Sequence, residues 1–339
     1  MRTQDAPGFA GRRAAVLCGL GGYLPSRVLD NAELSGRMDT SDEWIRTRTG
    51  IAERRIADDM STVDMAVEAG RAALNSAGLD RVDALVLATS TPDYVCPASA
   101  PQVAAALGLS GIAAFDVNAV CSGFVYALAT AAGMISAGIS GSVLVVGADK
   151  FSAVVDPGDR GTAPIFGDGA GAIVLRAGAP AEDGALGPFD LHSEGEGTDL
   201  LYVPAGGVRQ RFAAEEQDNF LVMQGQKVFR QACARMAESS RAVLDRAGWD
   251  VAEVDRFVGH QANIRILDAV AKKLGLPAEA VVANIGTVGN TVAASVPLAL
   301  LDGVKEGHLV PGHRVVVSAF GAGLTWGSTV LRWPEVTPG

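Results

Sequence analysis

The chain has 339 residues, of which 48% are hydrophobic and 19% are charged, a composition that fits a compact folded protein and excludes disorder over the whole length. Its formal net charge of -10 argues against a general nucleic-acid binder, because binding phosphates requires a basic field. An acidic partner would therefore have to bind a local basic patch. No stretch has the roughly 18 unbroken apolar residues that a membrane span needs.

The cysteines are too few and too scattered for a zinc ribbon or a disulfide framework. None of them forms a C-x-x-C pair, and we expect neither a metal site nor a cofactor. Free thiols suit a reducing compartment, so we predict a cytoplasmic protein. The four positions are Cys18, Cys96, Cys121 and Cys233.

The first apolar run, residues 14–20, follows Arg12 and Arg13, a pattern that is shared by β-strands and by secretory leaders. Two glycines and a proline end the run early, and no small-residue cleavage site follows it. We therefore predict a first β-strand.

An internal repeat is the main organising feature of the sequence. The segment RAALNSAGLD from Arg71 matches RAVLDRAGWD from Arg241. Each copy has apolar residues at helical spacing, ends in Ala-Gly and leads into a short apolar run. Further along, GSVLVVGA from Gly141 resembles GHRVVVSA from Gly312, and the GAIVLR that follows the first resembles the GSTVLR that follows the second.

Because the repeated segments occur in the same order, we predict two similar α/β halves over residues 1–183 and 184–339. The Val-rich runs are typical of strands buried on both faces. Two such sheets with covering helices predict a layered α/β/α/β/α body in which the halves share one core. The polar stretch of residues 192–219 is interpreted as a loop-rich insertion. Functional side chains are expected where strands end and helices begin.

Cys121 follows a strand-like run and precedes a segment of helical composition, so we expect its sulfur at a helix N-terminus. Unpaired N–H groups and the helix dipole favour a thiolate there, and the pKa of such a thiol can fall from about 8.5 to roughly 3.5–7.5. The alternative is a small buried hydrophobe, which is the commoner fate of a free cysteine.

His260 directly follows the apolar run RFVG, and we expect it to emerge at a strand end, as a base or as a satisfied structural group. Asn290 lies in TVGNTVAASVPLAL, where a glycine gives a turn and the apolar residues predict another buried helix. Alone, such an asparagine is more often a turn or cap residue. The remaining histidines lie in polar sequence and are predicted at the surface: His192, His308 and His313.

Taken together, Cys121, His260 and Asn290 match a known set in chain order, and motifs along nearly the whole chain resemble β-ketoacyl-acyl-carrier-protein synthase III. The motifs are TSDEWIRTRTGIAERRI, FDVNAVCSGF, DRGTAPIFGDGAGA, GHQANIRI, GNTVAASVPLAL and AFGAGLTWGS. The resemblance implies a thiolase-type fold on which these three residues form the catalytic triad.

The resemblance also implies the reaction. An acyl group would pass from CoA to Cys121, and malonyl-carrier-protein would then lose CO₂ and attack it, which initiates fatty acid or polyketide synthesis. Backbone N–H groups of Cys121 and Ala322 would form the oxyanion hole. The family positions that contact CoA correspond to Trp44, Arg48, Arg160 and Asn263.

Two further expectations concern partners. Arg265, with Lys227 and Arg230 as weaker candidates, is expected to bind the acidic carrier protein. Acetyl-using members commonly carry an aromatic residue from the partner subunit at the end of the acyl pocket, and Cys96 stands at that position here. The resemblance thus implies a homodimer, and the smaller side chain suggests a primer that is longer or bulkier than acetyl.

Other families share parts of this pattern but differ from the chain at diagnostic residues. A degradative thiolase would need a second cysteine near the C-terminus, other elongating synthases use two histidines, and a plant-type polyketide synthase usually carries a GFGPG turn. A papain-like protease also has Cys, His and Asn in this order, but its signature around the cysteine is absent. A non-catalytic binding module has no need of all three groups. The closest alternative is an acyltransferase that works without decarboxylation.

Overall fold

The protein is described by a computed structural model over residues 13–339, within which there are thirteen strands and nine α-helices. The strands are β1 (Ala14–Tyr23), β2 (Arg27–Asp30), β3 (Glu53–Ile56), β4 (Ala84–Ala88), β5 (Ala113–Val117), β6 (Ser142–Asp149), β7 (Gly169–Gly178), β8 (Leu186–Ser193), β9 (Leu201–Tyr202), β10 (Val222–Met223), β11 (Arg256–Gly259), β12 (Arg314–Gly321) and β13 (Thr325–Arg332). The helices are α1 (Asn31–Ser35), α2 (Asp42–Thr49), α3 (Thr62–Ala77), α4 (Ala100–Ala106), α5 (Gly123–Ser136), α6 (Gly225–Ala247), α7 (Ile264–Leu274), α8 (Ile285–Val288) and α9 (Ser295–Lys305).

Two large sheets repeat one topology. The first has the strand order β1-β7-β6-β4-β5, and the second has the order β8-β13-β12-β11. The last pair of the shared order is parallel in both sheets, β6 with β4 and β12 with β11. The two pairs before it are antiparallel, β1 with β7 and β7 with β6 in the first sheet and β8 with β13 and β13 with β12 in the second. An isolated parallel bridge joins Phe257 of β11 to Val281. This bridge takes the place that β5 has beside β4 in the first sheet.

Helices separate and cover the two sheets. Apolar faces of α3 and α4 pack on the outside of the first sheet, and those of α6 and α7 pack on the outside of the second. Helices α5 and α9 lie between the sheets, in a core to which both sheets contribute. The predicted five-layer α/β/α/β/α body is therefore confirmed.

Several local predictions are also confirmed. The run that follows Arg13 is the strand β1, which pairs antiparallel with β7, whereas Arg12 lies outside the described residues. The two repeated Ala-Gly signals end α3 and α6, because Gly78 and Gly248 adopt left-handed caps with φ of 62° and 68°. Among residues 13–339, no helix is both long enough and apolar enough to cross a membrane.

The strand β6 packs closely against the turn that precedes α9. A Cβ on Gly147 would lie 2.4 Å from the carbonyl oxygen of Ala293. Two residues along the strand, the carboxylate of Asp149 accepts a hydrogen bond from the N–H of Ala293 at 3.0 Å. Only glycine at position 147 leaves room for this contact.

Gly147→Ala is expected to destabilise the protein by about 1–3 kcal/mol, because the added methyl must push the backbone at Ala293 away. Gly133→Ala is the matched control, since its Cβ on α5 would meet nothing within 4 Å and alanine favours a helix by about 0.5–1 kcal/mol. Urea unfolding curves measure both changes. Equal free energies of unfolding for the two variants would contradict the close approach.

Candidate active site

Cys121 lies in the single 3-10 turn Val120–Ser122, directly before α5. The preceding Val120 has a φ of 46°, a left-handed conformation that is strained for a β-branched residue. Its N–H donates to Oδ1 of Asn118 at 3.3 Å, which stabilises the turn. The sulfur therefore lies at the start of a helix, as predicted.

The second half contains the same turn. Val292 has a φ of 54°, and its N–H donates to Oδ1 of Asn290 at 3.0 Å before α9 begins. Asn290 is thus the counterpart of Asn118, and Ala293 is the counterpart of Cys121. The matching sequences NAVCSG and NTVAAS carried this signal, which our sequence comparison missed.

His260 follows β11, as predicted, and its N–H donates to the carbonyl of Ser318 at 2.8 Å. Its Nδ1 lies 2.5 Å from Oγ of Ser295. Burial lowers the pKa of His260 to about 3, so the imidazole is neutral at ordinary pH. The other three histidines lie at or near the surface, as predicted.

The structure brings Cys121, His260 and Asn290 together as lining residues of one cavity of about 580 Å³. Because Oδ1 of Asn290 is occupied by Val292, its Nδ2 is the group that remains to donate into the cavity. Thiol, imidazole and amide therefore face a common space.

One expectation for Cys121 is wrong. Burial raises the pKa of the Cys121 thiol, and the nearby carboxylate of Asp149 raises it further, whereas the backbone N–H at Cys121 acts in the opposite direction. The loss of hydration outweighs the helix N-terminus, so the thiol is neutral in the ligand-free protein rather than ionised.

The turn that carries Ala322 packs against the turn that carries Cys121. A Cβ on Gly321 would lie 2.9 Å from the backbone nitrogen of Cys121, so the two turns are in contact. The Oγ1 of Thr325 lies 3.1 and 2.9 Å from the carbonyl oxygens of Ala119 and Ala322, and its single hydrogen can be donated to either or shared between them. These bonds keep the predicted oxyanion residues on adjacent turns.

The mouth of this cavity contains the predicted CoA contacts. Guanidinium groups of Arg160 and Arg48 lie 4.3 and 4.7 Å from the ring centre of Trp44. Asn263 caps α7 by accepting from the N–H of Arg265, and its Nδ2 donates to the carbonyl of Arg48 at 3.0 Å. All five side chains line the cavity.

Of the remaining predicted residues, some line a cavity and others do not. Arg230 lines the cavity mouth and is exposed, whereas Lys227 is exposed but lines neither this cavity nor the one described next. Cys96 is also exposed and outside both linings, although Tyr94 and Val95 beside it line the second cavity.

A second cavity, of about 1070 Å³, is also lined by Cys121. Phe166 and Leu201 line both cavities. The loop-rich insertion, predicted as irregular, is confirmed as such, but its role as a cavity wall was missed. The apolar side chains that line the second cavity include Phe151, Val154, Leu201, Val203 and Leu221.

In the described part of the chain, no cluster of His, Cys, Asp and Glu is arranged to hold a metal ion.

Comparison with known proteins gives the family. Residues 115–195 match the model of 3-oxoacyl-[acyl-carrier-protein] synthase III, and residues 244–333 match the model of its C-terminal part. Beta-ketoacyl-[acyl-carrier-protein] synthase III 5 of Streptomyces coelicolor is 57% identical over 327 residues, covering 96% of this chain and 98% of the relative. The synthase III of Pseudomonas aeruginosa is 56% identical over 326 residues, with the same coverage.

Solved structures agree with these relatives. The crystal structure of 3-oxoacyl-(acyl carrier protein) synthase III from Pseudomonas aeruginosa superposes with a TM-score of 0.91 at 55% identity, over 96% of this chain and all of that one. The priming β-ketosynthase of a polyketide biosynthetic pathway superposes with a TM-score of 0.90 at 35% identity, over 99% and 100%. The chain therefore belongs to the 3-oxoacyl-[acyl-carrier-protein] synthase III family.

Proposed function

We propose that this enzyme joins an acyl group from acyl-CoA to a malonyl group on acyl carrier protein, with loss of CO₂, and so starts a fatty acid or polyketide chain. The observation that carries the proposal is the meeting of two cavities at Cys121. One cavity has polar donors and a basic mouth, and the other is largely apolar. A thioester can enter through the first while its acyl chain occupies the second.

In the first half-reaction, Sγ of Cys121 bonds to the acyl carbon, the carbon-sulfur bond to CoA breaks, and CoA leaves with the thiol proton. The N–H groups of Cys121 and Ala322 stabilise the oxyanion. Because the thiol is neutral and buried, we infer that it loses its proton only as the thioester binds. Burial then protects the acyl-enzyme from water.

In the second half-reaction, malonyl-carrier-protein loses CO₂ and negative charge develops on its thioester oxygen. Neutral donors suit this step, since they stabilise the charge without bringing one of their own. Because Oδ1 of Asn290 accepts from the N–H of Val292, its Nδ2 remains free to donate. The imidazole of His260 is neutral because burial lowers its pKa to about 3.

Substrate contacts are proposed as follows. Trp44 and Arg160 sandwich the adenine of CoA, and Arg48 and Asn263 contact the same ligand, as arginine stacks on planar rings and pairs with phosphate. Arg265, with Lys227 and Arg230, receives the acidic carrier protein. Exposed positive charge around the cavity mouth supports this assignment in a chain of net charge -10.

We further propose a homodimer in the cytoplasm that requires no cofactor. The second cavity is open where Tyr94 and Val95 are 59% and 93% exposed, and a second subunit would cover these side chains. All four cysteines are free, which suits a reducing compartment. Residues 1–183 and 184–339 form the two halves, so the site lies where they meet.

Cys121→Ala is expected to abolish acyl-enzyme formation, because no nucleophile remains. Asn290→Ala should still be acylated but should release CO₂ from malonyl-carrier-protein about 10²–10³-fold more slowly, since one donor to the developing oxyanion is lost. Mass spectrometry of the intact protein measures the first change, and CO₂ release measures the second. Normal condensation by Cys121→Ala would refute the assignment, and acylation without CO₂ release by the wild type would favour a simple acyltransferase.

Arg265→Glu is expected to raise KM for malonyl-carrier-protein several-fold and to leave KM for acyl-CoA within about twofold, because a reversed charge repels the acidic carrier. Arg71→Glu, exposed on α3 and outside both cavities, is the control for net charge and should change neither constant. Steady-state kinetics with each substrate varied separately measures the effect. An equal rise in both constants would count against carrier docking.

Cys96 gives a prediction about the primer. In a competition among acyl-CoAs, the wild type should take longer or branched acyl groups in preference to acetyl, and Cys96→Phe should shift the preference toward acetyl by filling the pocket of the neighbouring subunit. Cys96→Ser keeps the size and should keep the preference. Mass spectrometry of the acylated protein reads the result, and the idea fails if acetyl-CoA outcompetes every larger primer.

A further inference from the structure

The hydroxyl of Ser295 has few partners. Ser295 is the first residue of α9 and is 1% exposed. Its Oγ lies 2.5 Å from Nδ1 of His260 and accepts a hydrogen bond from the N–H of Gln261 at 3.4 Å. Among residues 13–339, no acceptor other than Nδ1 is placed to accept a hydrogen bond from this hydroxyl.

These contacts allow two arrangements of hydrogen atoms on a neutral imidazole. If Nδ1 carried the hydrogen, Oγ of Ser295 would accept two hydrogen bonds and its own buried hydrogen would have no acceptor, which costs free energy. If Nδ1 is bare, the hydroxyl donates to it and every group is satisfied. The hydrogen bond that one ring nitrogen makes fixes which nitrogen carries the proton.

We propose that Ser295 is a positioning residue that holds His260 as the Nε2–H tautomer, so that the imidazole presents a hydrogen-bond donor to the cavity. The inference deepens the proposed function and rests on it. Asn290 is oriented by the same principle, because Val292 occupies its Oδ1 and leaves Nδ2 for the substrate. One hydrogen bond from a serine hydroxyl and one from a backbone N–H thus aim two neutral donors at one thioester oxygen.

The chemistry balances without a proton transfer to or from His260. When the malonyl carbon-carbon bond breaks, CO₂ leaves and its bonding electrons form an enolate whose oxygen accepts from Nε2–H and Nδ2–H. The enolate carbon then bonds to the acyl carbon on Cys121, the carbon-sulfur bond breaks, and the sulfur recovers a proton from water. An unprotonated Nε2 would instead repel the enolate oxygen.

The first test compares the two half-reactions in Ser295→Ala. CO₂ release from malonyl-carrier-protein by pre-acylated enzyme should fall about 10- to 100-fold, the usual effect of losing a group that orients a functional histidine. KM for malonyl-carrier-protein and the rate of CoA release from acyl-CoA should stay within about twofold. Ser295→Thr, which keeps a hydroxyl, should restore most of the CO₂ release.

Ser240→Ala is the matched control. Ser240 is equally buried on α6, and its hydroxyl has no hydrogen-bond partner among the described residues, so its loss should leave both half-reactions unchanged. Unchanged CO₂ release in Ser295→Ala, or an equal loss in both half-reactions, would overturn the assignment.

The second test reads the tautomer directly by ¹⁵N NMR of histidine-labelled protein, with His260 assigned from a His260→Gln variant. In the free wild-type enzyme, Nε2 should give the protonated signal and Nδ1 the bare one, and Ser295→Ala should move both signals toward a tautomer mixture. A protonated Nδ1 in the wild type would overturn the inference. Because the NMR needs no substrate, it separates this inference from the proposed function, which fails if the wild type forms no acyl-Cys121 or releases no CO₂.

Discussion

The contact between two equivalent turns at the centre of the molecule is the constraint on which the site depends. Val120 and Val292 both adopt left-handed backbone conformations, and each begins a short 3-10 turn that leads into a central helix. The second turn can lie against β6 because Gly147 has no side chain and because Asp149 accepts the N–H of Ala293. Strained backbone of this kind persists only where the surroundings hold it in place, and here both sheets do so.

Duplication has produced two similar turns with different roles. The first presents a thiol at Cys121, and the second presents alanine at the matching Ala293 but uses the asparagine at its start. Asn118 and Asn290 make the same bond to the valine that follows two residues later. One structural motif therefore positions both the proposed nucleophile, Cys121, and the proposed hydrogen-bond donor, Asn290.

Burial decides the electrostatics of the site. The pKa of Cys121 is raised and that of His260 is lowered, so the thiol and the imidazole are both neutral before substrate binds. The buried carboxylate of Asp149 is surrounded by donors from Ser90, Thr91 and Ala293, which leaves it no need for a cation. At the mouth of the first cavity, arginines on α2 and α7 face solvent and give an acidic protein a local surface for anionic groups.

Much of this could be predicted from the sequence. Hydrophobic patterning and repeated helix ends gave two halves and five layers, because burial and left-handed glycine caps are local properties of the chain. The chain order of Cys121, His260 and Asn290 was likewise readable, as was the position of Cys121 and His260 after strands. Tertiary structure alone decided the neutral thiol, since its pKa depends on how much water the neighbouring layers exclude. It also decided the pairing of Ser295 with His260, residues 35 positions apart, and the cavity wall formed by an irregular insertion. Such contacts join distant segments, and no local pattern encodes the distance between them.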